Sequence, residues 1–127
     1  MIVWRSLLKR LLFLSAASGG QQKTNLLDPS LIEEGYYTSS GNKTQDNDDR
    51  YRRFAITLPA GSYTFGTDLP NCYIIRVLID NVADGSGGAM QERPFTLTKE
   101  SEVKFSFRNT STTSITDTFN AWIYATD

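Results

Sequence analysis

From Asn25 to the last residue, apolar and polar positions alternate in short runs, and Gly, Pro, Asn, Asp and Ser punctuate each run. A period of two sends successive side chains to opposite faces, so the pattern predicts a body of short β-strands. Tyr51 to Leu58 places Phe54, Ile56 and Leu58 on one face and Arg53, Ala55 and Thr57 on the other. Pro59-Ala60-Gly61 then reads as a turn, after which Ser62 to Thr67, with Tyr63 and Phe65 in phase, is expected to fold back antiparallel on the preceding strand. Cys72 to Asp80 carries the densest alternation, Tyr73, Ile75, Val77 and Ile79 against Ile74, Arg76 and Leu78. With apolar residues on both faces it reads as the central strand, and Tyr73, Ile75, Val77 and Ile79 as the central core.

Asn81 to Gly88 reads as a flexible loop leading to a strand at Phe95-Thr96-Leu97. Val103, Phe105 and Phe107 alternate with Lys104, Ser106 and Arg108, and Phe119, Ala121 and Ile123 with Asn120, Trp122 and Tyr124. Tyr36-Tyr37-Thr38 is a further short strand. Roughly seven or eight strands without intervening helices predict an all-β fold, an antiparallel jelly-roll-like β-sandwich. Immunoglobulin topology is second, since its paired cysteines and central tryptophan are missing.

The first residues follow a different period. At about 100° per residue, Trp4, Leu7, Leu8, Leu11 and Leu12 fall in one stripe opposite Arg5, Ser6 and Lys9, which predicts a short N-terminal amphipathic helix. Gly19-Gly20 ends it, so the chain divides into an anchor helix over 1–20, a polar linker over 21–24 and a β-sandwich domain over 25–127. Arg5, Lys9 and Arg10 interrupt any run long enough to span a bilayer, and three basic residues are a weak basis for an interfacial membrane helix. Two readings remain beside simple packing on the domain: a secretory signal cleaved near Ala17, and a helix that docks in a partner's groove or bundles with its own copies. The Leu/Trp stripe favours docking, with Trp4, Leu7, Leu8, Leu11 and Leu12 as the assembly anchor.

Composition removes several function classes. The 127 residues include 13 Lys and Arg against 14 Asp and Glu, intermixed, so no basic face for nucleic-acid phosphates is visible. There is no His, and a lone Cys72 builds neither a disulfide nor a cysteine-rich metal site, so it reads as a small buried hydrophobe. Asp46, Asp48 and Asp49 sit in a polar stretch from Ser39 to Arg50, but the glycine and distal glutamate of an EF-hand loop do not follow at the required spacing, and a solvated loop is expected. Glu33, Glu34, Glu100 and Glu102 read as surface carboxylates. The residues assign no catalytic centre, no metal and no cofactor, and the chain is expected not to be an enzyme. Asn42-Lys43-Thr44 and Asn109-Thr110-Ser111 match the glycosylation sequon, which matters only in a eukaryotic secretory route.

The remaining candidate chemistry is aromatic. Asn120, Trp122 and Tyr124 share a face of the last strand, while Arg53 and Arg76 interrupt apolar faces elsewhere. A flat apolar ring beside polar groups suits a sugar, which makes Asn120, Trp122, Tyr124 and Arg76 candidate carbohydrate contacts; the alternative is that Trp122 and Tyr124 are core.

The succession NLLDPS from Asn25, YRRFAITLPAGSYTF from Tyr51, YIIRVLIDN from Tyr73 and PFTLTKESEVKFSFRN from Pro94 resembles the carbohydrate-binding-like jelly rolls of phage virion proteins. The resemblance covers about the last hundred residues and rests on the order of strands and turns. It implies a virion structural or attachment protein of tail, baseplate or head-fibre type. Other virion proteins and further copies of the chain are its implied partners. A host-surface glycan is an alternative ligand, and a secreted small β-sandwich an alternative identity.

Overall fold

The computed structural model describes residues 24–44, 48–85, 87–116 and 118–126. The expected anchor helix, with Trp4, Leu7, Leu8, Leu11 and Leu12, lies outside the described residues. Within them the chain forms β1 (Glu33–Glu34), β2 (Tyr51–Leu58), β3 (Gly61–Thr67), β4 (Cys72–Ile79), β5 (Val82–Ala83), β6 (Gly88–Ala89), β7 (Glu92–Leu97), β8 (Ser101–Asn109) and β9 (Ala121–Ala125). They assemble into two antiparallel sheets: a larger one ordered β1-β2-β8-β4-β5, with β6 also on β4, and a smaller one ordered β7-β3-β9. The long strands β2, β3, β4, β7, β8 and β9 alternate between the sheets in chain order, so the expected all-β antiparallel sandwich is present.

Phenylalanines hold the layers together. Phe54, Phe105 and Phe107 from the larger sheet meet Phe65 from the smaller, all 0% exposed, with ring centroids 4.7 Å apart for Phe65 and Phe105 and 5.5 Å for Phe54 and Phe65. Aromatic pairs at such spacings contribute about 0.5–1.5 kcal/mol beyond the area they bury.

Three strand expectations change. First, β3 does not pair with β2: the Pro59-Ala60-Gly61 turn carries the chain from one sheet to the other, and β3 takes β7 and β9 as neighbours. Gly61, at φ 153°, supplies the backbone conformation this crossing requires. Second, the strand between two long neighbours in the larger sheet is β8, and β4 lies beside it. Third, the core phase of β4 shifts. Ile74 faces Phe107 and Val77 faces Phe105, with a register break between Ile74 and Arg76, so both point inward across a bulge. Beyond the bulge the expected phase holds, with Val77 buried and Ile79 packed half-buried against the core, whereas before it Ile74 is buried in place of Tyr73 and Ile75, which are half-buried.

The outer face of the larger sheet is itself partly covered. Residues 36–44 fold over it, held by Tyr37 N donating to Ser106 Oγ (2.8 Å), Arg76 Nη1 to the Tyr37 carbonyl (2.7 Å) and Lys104 Nζ to the Gly41 carbonyl (2.8 Å). Tyr37 of this excursion is buried, as are Leu78 and the whole side chain of Arg53 beneath it. Leu78 accounts for the apolar residues on both faces of β4. Of Tyr36 to Thr38, only Tyr37 makes a strand-like bridge, to Lys43.

Candidate functional site: an aromatic face on the smaller sheet

Strand β9 buries Ala121 and Ile123, so alternation turns Trp122 and Tyr124 to the outer face of the smaller sheet, where both are half-buried. They are therefore not core residues. Register places Trp122 opposite Gly66 and Tyr124 opposite Thr64. Glycine there gives the indole its seat: a Cβ on Gly66 would fall 2.2 Å from Trp122 Nε1 and 2.7 Å from Cε2, so the ring lies across the β3 backbone. The two rings are 6.2 Å apart between centroids, with planes 20° from parallel.

The far edge of β9 is closed by the incoming chain. Asn25 Oδ1 accepts from Ile123 N (2.9 Å), Asn25 Nδ2 donates to the Ala121 carbonyl (3.2 Å), and Leu26 N donates to the Ile123 carbonyl (2.9 Å). These bonds occupy edge groups that would otherwise pair with another strand and hold the aromatic strand in place.

At the start of β9 the turn after β3 is tied down. Asp68 Oδ1 accepts from Asn120 N (2.7 Å) and Oδ2 from Asn120 Nδ2 (3.0 Å), while Thr67 Oγ1 donates to the Asn120 carbonyl (2.7 Å). The Asn120 backbone N–H, followed by its side-chain amide, holds the Asp68 carboxyl below the usual carboxylate range. Thr67, Asp68, Gln91, Glu92 and Trp122 line an open groove of about 570 Å³ here.

Of the expected carbohydrate contacts, the structure brings together Asn120, Trp122 and Tyr124. Arg76 stands apart, on the outer face of the other sheet under residues 36–44. Asp68, Gln91 and Glu92 were not singled out from the sequence, because turn and edge residues distant along the chain meet only after β3 and β7 pair. Gly66 carried a signal, since a glycine inside a strand marks a close approach.

Several other charged groups are engaged within the fold. A second cleft, of about 450 Å³, lies on the larger sheet between Glu33, Lys43, Glu102 and Lys104. Its charges pair with one another, Lys43 with Glu33 at 2.9 Å and Lys104 with Glu102 at 3.7 Å, and Glu33 also accepts from buried Arg53 Nε at 2.7 Å. Asp48 binds Arg50 at 2.9 Å and Asp49 accepts from Ser114 Oγ at 2.8 Å, whereas Asp46 lies outside the described residues. Cys72 is buried, and burial pushes its thiol up to about 12, far from a reactive thiolate at neutral pH.

No family model and no curated protein matches the chain. Among solved structures it is similar to a Paenibacillus sp. cycloisomaltooligosaccharide glucanotransferase complexed with cycloisomaltoheptaose, at 12% identity and a TM-score of 0.31 over 74% of this chain, which spans 16% of that protein. It is also similar to the carbohydrate-binding module CBM36 in complex with calcium and xylotriose, at 11% identity and a TM-score of 0.25 over 83% of this chain and 86% of that one. A third is the CBM36-1 domain of a multidomain xylanase from the hindgut metagenome of Trinervitermes trinervoides, at 13% identity and a TM-score of 0.21 over 83% and 82%. Overlaps this small carry neither a family nor a ligand to this chain, and none of the three is a virion protein.

Proposed function

We propose that this chain is a non-enzymatic glycan-binding β-sandwich whose Trp122 and Tyr124 face receives sugar rings. The single observation that carries the reading is the aromatic pair, two near-parallel rings on one outward face, the indole resting on Gly66. A pyranose presents a face of C–H groups that packs on an aromatic ring, and its rim of hydroxyls needs nearby polar partners. Thr67, Asp68, Gln91 and Glu92 supply them beside Trp122. Because the rings are already held by the sheet, little side-chain freedom is lost when a ligand docks.

The test is a glycan array probed with the full chain and with Trp122→Ala/Tyr124→Ala. The wild-type chain is expected to retain a defined set of glycans that the double variant loses, with the near-ultraviolet dichroism of the phenylalanine core preserved. Loss of the fold in the double variant, or undiminished glycan retention by it, contradicts the reading. A virion-attachment role, proposed from the sequence resemblance, would act through Trp4, Leu7, Leu8, Leu11 and Leu12 and leave this face free. Normal incorporation into particles of a chain beginning at Gln21 would contradict that role without touching the glycan reading.

A further inference from the structure

The groove beside Trp122 is acidic. Asp68 and Glu92 stand in its wall with Thr67 and Gln91, and no basic side chain among the described residues lines it. Asp68 is fixed in place by its two bonds to Asn120, at 2.7 and 3.0 Å, yet the residue is exposed. Each of its oxygens has accepted one bond and retains capacity for a second. Gln91 commits Nε2 to the Leu69 carbonyl at 3.1 Å, which leaves its Oε1 as an acceptor. The wall is therefore a row of acceptors carrying negative charge.

Among the described residues the arginines are engaged elsewhere, Arg50 with Asp48 and Arg52 with the Asp49, Tyr51 and Ile115 carbonyls. Arg53 and Arg76 are committed under the 36–44 excursion of the other sheet, Arg108 lies over the Tyr73 ring at 4.4 Å, and Arg93 donates to the carbonyls of Asp84 and Pro94.

We infer, resting on the glycan-binding reading above, that the Trp122 face selects glycans whose sugars carry hydroxyl or amino donors and no acidic group. Sugar hydroxyls donating to Asp68 and Glu92 make charge-assisted bonds, which are shorter and stronger than neutral ones. A uronate or sulfate stacked on Trp122 would instead bring its charge against both carboxylates, and such like-charge juxtaposition disfavours the wrong partner and slows its approach.

Calorimetric titration of the full chain decides the matter. The probes are a panel of uncharged hexasaccharides of glucose, xylose and mannose, a chitosan hexamer and an oligogalacturonate. At low salt the best uncharged or amine-bearing probe is expected to bind at least about tenfold more tightly than the oligogalacturonate. That gap should narrow as added salt screens the carboxylates, and close to within about threefold in Asp68→Asn/Glu92→Gln. Should that variant not fold, Glu92→Gln and the salt series provide the same comparison. Oligogalacturonate binding as tight as the best uncharged probe, with both lost in Trp122→Ala/Tyr124→Ala, overturns the charge selection and leaves the glycan reading standing. Failure of every probe to bind, or binding that survives the aromatic double substitution, overturns the glycan reading itself.

Discussion

Ile74 and Ile75 are neighbours of the same residue type with opposite fates, because the β4 bulge sends Ile74 into the core at 0% exposure and leaves Ile75 half-buried. Ile74→Ala should cost about 2–5 kcal/mol and Ile75→Ala clearly less, measured by urea unfolding. The reverse order would mean that the bulge is misplaced. Strict alternation read from the sequence chose Ile75, since a bulge adds one residue without altering the run of apolar letters. Arg53 is a second case: its place opposite the core face was legible, but its burial was not, because the cover comes from Glu33 and residues 36–44. Glu33→Gln should cost about 1 kcal/mol at neutral pH, below the roughly 1.5–3 kcal/mol of a buried bond to a charged group because the Glu33 carboxylate is 42% exposed and screened by solvent. Lys43 first, then Arg53, hold the Glu33 carboxyl below its ordinary value of 4.5. Its folded pKa is thus depressed, so the stability it contributes is present above the unfolded pKa and is lost as pH falls through the folded one. Thermal midpoints recorded from pH 7 to strongly acidic conditions should fall less steeply for Glu33→Gln than for wild type; parallel curves would show that the pair contributes nothing.

Strands as elements were legible wherever alternation was long: β2, β3, β8 and β9 follow the sequence pattern closely. Partners were less so. The turn at Pro59 to Gly61 has the composition of a hairpin, but it carries β3 to the other sheet, where Phe65 packs on Phe54 across the sandwich, and nothing local in the sequence records that crossing. The Asn81 to Gly88 stretch contains more order than its composition suggests. Asp80 and Asn81, at φ 50° and 65°, form the two-residue turn between β4 and β5, a mirror-type hairpin turn that matches strand twist. Two glycines make element-scale predictions. A Cβ on Gly87 would lie 1.8 Å from the Ile74 carbonyl oxygen, a backbone atom that cannot swing away, so Gly87→Ala should break the β4–β6 pairing and lower the unfolding midpoint. At Gly66 the obstacle is the Trp122 side chain, which can lift. Gly66→Ala should therefore keep the fold while shifting Trp122 fluorescence toward the red in a Trp4→Phe background, and should weaken glycan binding. Unchanged emission would show that the indole does not rest on that glycine.

For the molecule as a whole, the two sheets present unlike outer faces. The larger sheet uses Arg53, Arg76 and Lys104 to hold residues 36–44, whereas the smaller leaves an aromatic pair outward beside an acidic groove. The sandwich and the shared face of Asn120, Trp122 and Tyr124 could be read from period-two spacing, but which face of β9 turns outward could not, because Phe119, Ala121 and Ile123 on the other face are apolar too. The groove could not, because Asp68, Gln91 and Glu92 converge only through β3–β7 pairing and the turn tied to Asn120. The most direct test of the central claim is a nitrogen-15 NMR titration of the full chain with the tightest-binding array glycan, following the Trp122 indole Nε1–H, assigned with Trp122→Ala. The account predicts that this resonance and the amides of Asp68, Gln91 and Tyr124 shift together and saturate at one dissociation constant. A saturating titration in which they stay still while signals around Tyr73 and Arg108 move would contradict it.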